Sequence, residues 1–439
     1  MSNQINSTLG DLVKAGGGVI HTGPFGSQLH AEDYVAEGIP CIMPANMKDN
    51  RVDLSKISFI SDKDAQRLSK YLVKEGDIVY SRRGNVTLKA LIRKNEVGYF
   101  CGTGCLLLRP GNLLDSDYLT YYLSTPKIQS WIISQAIGAT MPNLNTGILA
   151  RIPFSGPEKA IQEKISSVLK TIDDKIELNN RINAELEAMA KTLHDYWFVQ
   201  FDFPDANGKP YKSSGGKMEY NDILEHEIPA GWSVDTLSAW IANDKTGDWG
   251  KENREGNYTL QVNCIRGADI NSMNGYGNTS MPVRYISGKN EKKLLSAYDF
   301  VIEISGGSPT QSTGRMTFIT KEMLDRFAHP VICSNFCKAI TLKDNLYFYN
   351  FAYTWNDIYN KGILFGWEGK TSGIKNLLFD SFVDKHHVCI PHKDLVKIFH
   401  DIMVPLHQKK QNNLKENAEL EKLRDWLLPL LINGQVKVK

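Results

Sequence analysis

Two loops carry side chains suited to reading nucleic acid. Ser81-Arg82-Arg83-Gly84-Asn85 stands where a strand is expected to turn back into Lys89–Lys94. Paired guanidinium groups at a glycine-turned hairpin tip can offer forked donors to guanine or to phosphate oxygens. Further along, Ser305-Gly-Gly-Ser-Pro-Thr-Gln311-Ser312-Thr-Gly-Arg315 presents a glutamine, which suits an adenine edge, and an arginine, which suits guanine. Its glycines permit close backbone approach. Lys370-Thr371-Ser372-Gly-Ile-Lys375-Asn376 and Thr140-Met-Pro-Asn143-Leu-Asn145 are further candidates, with Lys89 behind the first loop. Any one of these alone reads as an ordinary solvated turn. Their recurrence in both halves of the chain gives them weight.

Enzyme signatures come close and fail. Phe100-Cys-Gly-Thr-Gly104 has the outline of a methyltransferase cofactor loop, which should open a helix and lead to an acidic residue ~20 positions on. Cys105-Leu-Leu-Leu-Arg-Pro follows instead and continues as a strand, and no Asn-Pro-Pro-aromatic or Asp-Pro-Pro-aromatic tetrapeptide occurs. Gly369-Lys370-Thr371 ends like a phosphate-binding loop, but Leu364 stands where the pattern needs its first glycine. Cys101-x-x-x-Cys105 and Cys333-x-x-x-Cys337 have a spacing that zinc permits. They lie far apart on strand-like stretches, where i and i+4 share a face and cysteine is readily buried, so core packing is the expectation. His386-His387-x-Cys389 is an isolated cluster and supports no metal site. No catalytic and no metal-ligating residue is assigned.

The elements that must position these loops follow from an internal repeat. Asn183-Ala-Glu-Leu-Glu187 recurs as Asn417-Ala-Glu-Leu-Glu421, a shift of 234 residues. The same shift pairs Pro157 with Pro391, Lys175 with Lys409 and Asn179 with Asn413. Each copy opens on a proline, suited to a first helical turn. Apolar residues then alternate at spacings of three and four: Ile161, Ile165, Val168, Ile172 and Ile176, resuming at Leu186, Met189, Leu193 and Trp197. In the second copy Leu395, Phe399, Ile402, Leu406, Leu420, Leu423, Leu427 and Leu431 take equivalent places. This is a heptad seam, predicting two long helices of roughly 60 Å each, antiparallel if a pseudo-two-fold relates the copies. Asn179 and Asn413 fall on the seam, where a buried amide fixes register; solvated amides at a splayed pair are the alternative.

Ahead of each helix lies a longer, divergent region of short β-rich runs, glycine turns and helical stretches such as Tyr118–Ile133, read as an α+β globule. Faint echoes match Asp77 to Asp299, the two cysteine pairs to each other, and Pro142-Asn143-Leu144 to Lys375-Asn376-Leu377. The expected organisation is a first globule at 1–156, helix at 157–200, surface linker at 201–226, second globule at 227–390 and helix at 391–439. The chain has 439 residues, 42% of them hydrophobic and 23% charged, which places it among globular proteins. A net charge of +2 is too small for a chain that wraps nucleic acid alone, so DNA contact must be local or shared with a partner. No apolar run reaches the ~18 residues of a membrane span, and the polar start is unlike a signal peptide. Seven scattered cysteines fit a reducing compartment, so the expected location is cytoplasmic.

This arrangement resembles the specificity subunit of a type I restriction–modification enzyme over essentially the whole chain. The resemblance rests on the duplicated helix, on Leu193-His-Asp-Tyr-Trp-Phe-Val-Gln-Phe-Asp-Phe203 leading into Gly208-Lys-Pro-Tyr211, and on Ile228-Pro-Ala-Gly-Trp232. Gly23-Pro-Phe-Gly-Ser27-Gln28 and Gly369-Lys-Thr-Ser-Gly-Ile-Lys-Asn-Leu377 also look like family motifs, which adds Ser27 and Gln28 to the candidate contacts. The resemblance implies two target-recognition domains, each reading half of a split, asymmetric double-stranded DNA site, and a helix pair that spaces them. It implies docking of two adenine-methyltransferase subunits and of restriction subunits. S-adenosylmethionine, ATP and magnesium would then sit on those partners, with none on this chain. The competing readings are a stand-alone DNA methyltransferase and a coiled-coil scaffold that binds only protein.

Overall fold

A computed structural model describes residues 4–136, 138, 142–275, 280–306, 310–371 and 373–438. It divides into two compact units, Met1–Ile176 with Glu419–Lys439, and Glu177–Ala418.

The first unit is built on β1 (Val19–Thr22), β2 (Ile39–Ile42), β3 (Ile78–Ser81), β4 (Lys89–Leu91), β5 (Phe100–Cys101) and β6 (Cys105–Arg109). An antiparallel sheet runs β1-β6-β3-β4, and β5 pairs in parallel with β2 beside it. Side chains alternate across the sheet as a pleated strand requires. Ile78, Tyr80, Leu106 and Leu108 join one buried cluster, while Val79, Ala90, Cys105 and Leu107 join another with Cys41, Phe100 and Cys101. The stretch from Tyr118 to Ile133 is two helices rather than one, Ser116–Ser124 and Pro126–Gln135. Thr125 is extended between them, as a residue before proline tends to be.

The second unit repeats this plan with β7 (Ile241–Thr246), β8 (Tyr258–Ile265), β9 (Asp299–Glu303), β10 (Met316–Phe318), β11 (Val331–Cys333) and β12 (Cys337–Leu342). The sheet order is β7-β12-β9-β10, and β11 pairs in parallel with β8. The inner and outer alternation recurs, with Phe300, Ile302 and Ile340 on one cluster and Val301, Cys337 and Ala339 on the other. The sequence echoes are therefore topological equivalences. Asp77 precedes β3 and bonds the amide of Lys74 at 2.8 Å; Asp299 opens β9 and bonds that of Ser296 at 2.8 Å. The cysteine pairs differ from the single-strand reading: each pair is split over two strands, β5 and β6 or β11 and β12, and all four thiols are buried and free.

The predicted long helices are α1 (Lys159–His194) and α2 (Lys393–Ile432). Within each unit they run antiparallel. In the first, Ile165 and Leu169 share a core with Leu431 and Ile432, and Asp173 pairs with Arg424 at 2.9 Å. In the second, Asn179 meets Asn417, Asn183 meets Asn413, and Glu187 pairs with Lys410 at 2.7 Å. Not every expected seam position is buried: Met189, Ile402 and Leu423 are exposed. After α1, the segment expected as a surface linker folds onto the second unit. Phe201 is buried, Phe203 stacks on Tyr211 and Trp232 with centroids 4.6 and 5.4 Å away, and Met218–Asn221 pairs with His226–Pro229. Among the described residues no helix is long and apolar enough to cross a membrane.

Candidate nucleic-acid interface

In the first unit three separate segments converge past the end of β1. Gly23 donates to Cys105 O at 2.9 Å, and a Cβ on it would lie 2.2 Å from Gly102 O, so only glycine lets the chain pass. The turn projects Phe25, which is 52% exposed, and the Arg82 guanidinium lies 5.6 Å above its ring. Arg82 is held by its backbone, donating to Gly104 O and accepting from Leu144 N, both at 2.8 Å. Arg83 bridges to Asn143, and Gly84 turns the chain at φ 74°. Arg83 and Asn85 point outward, and Asn85 Oδ1 is held by Thr87 N and Oγ1 at 3.1 and 2.7 Å. Arg82 Nε and Asn143 Oδ1 are buried and have no hydrogen-bond partner among the described residues. Unpaired buried polar atoms are rare enough that they mark this surface as built for a ligand or for water.

The remaining candidates of this unit do structural work. Gln28 Oε1 accepts from Tyr71 Oη at 2.8 Å, which pins the turn, and Ser27 beside it is exposed. Asn145 caps the helix Thr146–Ala150 by accepting from Ile148 N at 2.8 Å. Lys89 is 3% exposed, and its Nζ donates to Ser124 Oγ at 2.8 Å. Burial pulls its ammonium down to about 7, so this lysine is not the surface cation that its place behind the hairpin suggested. Thr140 lies outside the described residues.

The second unit reproduces the frame with different side chains. Gly247 takes the place of Gly23, since its Cβ would lie 2.0 Å from Ser334 O, and Trp249 takes the place of Phe25. Ile304 donates to Phe336 O at 2.9 Å and accepts from Leu377 N at 2.8 Å, the two backbone bonds of Arg82. Ser305 pairs with Asn376 as Arg83 does with Asn143, and its Oγ donates to Asn376 Oδ1 at 2.6 Å. The loop placed here as a base reader is largely committed internally. Arg315 donates twice to Glu303, at 2.8 and 2.7 Å, in a mostly buried pair. Lys375 pairs with Glu368 at 3.1 Å and donates to Gln311 O at 3.4 Å, while Ser312 is buried. The backbone of Lys370 and Thr371 lies in the strand Glu368–Thr371, their side chains lie outside the described residues, and so does Ser372.

The seam amides are buried and paired. Asn179 Nδ2 donates to Asn417 Oδ1 at 2.9 Å and to Glu416 Oε2 at 2.8 Å, and Asn413 Nδ2 donates to Asn183 Oδ1 at 2.9 Å. What sequence reasoning missed is the aromatic pair Phe25 and Trp249. Gly23-Pro-Phe-Gly26 and Gly247-Asp-Trp-Gly250 share a Gly-x-aromatic-Gly pattern ahead of the two cysteine pairs, and that shared pattern was the available signal.

One backbone frame is used twice in this chain, with different exposed side chains in each unit. Residues 3–188 match the family described as type I restriction modification DNA specificity domain. The MjaIX specificity subunit of Methanocaldococcus jannaschii is 26% identical over 417 residues, covering 93% of this chain and 89% of that one. The HindI specificity subunit of Haemophilus influenzae is 22% identical, covering 90% and 94%. In fold, the chain is similar to a type I restriction–modification S subunit from M. genitalium, with a TM-score of 0.57 at 17% identity over 98% of this chain and 96% of that one. Residues 3–188 thus match a type I restriction–modification DNA specificity domain, and nearly the whole chain is similar to specificity subunits of such enzymes.

Proposed function

We propose that this chain reads a bipartite, asymmetric double-stranded DNA target, one half with each globule, and delivers it to partner subunits. The observation that carries this reading is the repeated frame with unlike side chains: Arg82 and Arg83 in the first unit stand where Ile304 and Ser305 stand in the second. One geometry with two sets of contacts reads two different sequences. In the first half-site Arg82, Arg83, Asn85 and Asn143 are the contacting residues, with guanidinium groups able to take guanine edges or phosphates. The near-neutral chain relies on its partners for the rest of the clamp. Two adenine-methyltransferase subunits dock on the helices, and restriction subunits join them, bringing S-adenosylmethionine, ATP and magnesium. Met189 and Leu423 support docking, because they are equivalent in the repeat and both leave a large apolar side chain exposed.

The test is to assemble the chain with its methyltransferase partner and sequence the methylated adenines. A split, non-palindromic motif is expected. Exchange of residues 227–390 for the matching segment of a relative should change one half of that motif only. A change in both halves would break the division of labour.

A further inference from the structure

A cavity of about 370 Å³ opens on the second unit at the point equivalent to the Phe25–Arg82 surface of the first. Trp249, Arg266, Gly267, Glu303, Asn335 and Phe336 line it. Trp249 and Phe336 are 37% and 53% exposed, and the Arg284 guanidinium lies 4.3 Å from the Trp249 ring, so the rest of the Trp249 surface and the Phe336 ring are open to a ligand. Two facts narrow what the cavity takes. First, the cations nearby are largely occupied: Arg266 is held on Asp269 by Nε and Nη2 at 2.8 Å each, and Arg315 is held on Glu303. A phosphate would find little free charge there. Second, Asn335 is exposed on the turn between β11 and β12, and its amide offers a donor and an acceptor side by side. That pair of groups matches the N6 and N7 edge of adenine, and apolar side chains beside it suit the 5-methyl of the paired thymine.

We propose that the Trp249–Asn335–Phe336 cavity is the base-reading site of the second globule and selects an A·T pair. This rests on the recognition role proposed above and moves the second reading surface away from Arg315 and Lys375. Asn335 accepts from and donates to the adenine, and Trp249 and Phe336 enclose the thymine methyl. In the first unit the equivalent turn carries Thr103 and Gly104, so the same surface there is left to Arg82.

The experiment uses the chain assembled with its methyltransferase partner. Wild-type complex should methylate a split motif; absence of any sequence preference would sink the recognition role itself, whatever the cavity does. With that motif in hand, Asn335→Ala should relax one A·T position of the second half-site by roughly 5- to 150-fold in discrimination and leave the first half unchanged. Replacing that thymine by uracil should weaken wild-type binding about fourfold, the worth of one buried methyl, and should not weaken Trp249→Ala further. Asn335→Ala lies on an exposed turn, so folding is preserved and thermal unfolding will match wild type. An unchanged motif and rate in Asn335→Ala, or an equal uracil effect in Trp249→Ala, overturns the proposal.

Discussion

Asn179 donates its amide to Asn417 across 2.9 Å, and the same two positions of the repeat, Asn413 and Asn183, bond across 2.9 Å in the opposite sense. The helix pair of the second unit thus has its own local two-fold in side-chain chemistry. Both donors are almost fully buried. Asn179→Ala strands the Asn417 carbonyl and should lower stability by about 1–3 kcal/mol. Asn179→Leu with Asn417→Leu removes both ends of this bond, though it also takes a donor from Glu416 and from Asn180, and should recover part of that loss. Urea titration of the two variants decides, and equal losses in both would mean that the bond is not the source.

Arg83 and Arg82 should separate recognition from folding. Arg83 is exposed, so Arg83→Ala should leave thermal unfolding unchanged and weaken DNA binding of the assembled complex by about 1–3 kcal/mol. Arg82 also covers Phe25, so Arg82→Ala should cost binding and some stability. Binding titrated at two salt concentrations tells a phosphate contact from a base contact. A shallower salt slope marks the former.

Arg315 should behave as a structural residue. Its two bonds to Glu303 lie in a pair exposed only 16% and 7%, and Arg315→Ala leaves a buried carboxylate alone. Breaking such a pair costs about 3–5 kcal/mol. Denaturant midpoints should fall, and the methylated motif of whatever folds should be unchanged.

Lys89 makes stability rise with pH. Its ammonium is drawn down to about 7 by burial from the ordinary 10.5, so between those values the unfolded chain holds a proton that the folded chain has released. Stability from this group therefore increases from pH 7 upward and is lowest below it. Lys89→Met should be more stable than wild type at pH 6 and lose that advantage towards pH 10. Chemical unfolding at both pH values reads the difference, and a pH-independent gap would contradict the assignment.

Half-site spacing should follow the helices, and the paired amides dictate how to test it. An insert of four residues after Asn179 alone would break the Asn179–Asn417 register. Matched four-residue inserts in α1 and α2 should add ~6 Å of rise, roughly one or two base pairs of spacer. A variant that methylates with its spacer unchanged would show that the helices do not set it.

The helices, their pairing amides and the two globules were legible because a heptad seam is local and the repeat there has no gaps. The globules' likeness was legible only at Asp77, the cysteines and Asn143. It is carried by strand order and backbone bonds, which tolerate almost any side chain. The commitments of Arg315 and Lys375 were hidden for a related reason. Each partner lies across a hairpin, on Glu303 or Glu368, and hairpin register cannot be read from a glycine-rich loop. Lys89 reads as a surface cation on a hairpin arm until the helix Ser116–Ser124 is known to cover it.

The first compact unit takes its last turn of core from the end of α2, where Leu431 and Ile432 lie against Ile165 and Leu169. A ribosome delivers those residues only after all of the second unit. During synthesis the first globule must therefore wait, its helix base uncovered, while the second unit is made. Chains cut short before Leu431 would carry a finished second globule and an open first one. Loss of the last turn of α2 should consequently be felt most in the globule that was made first.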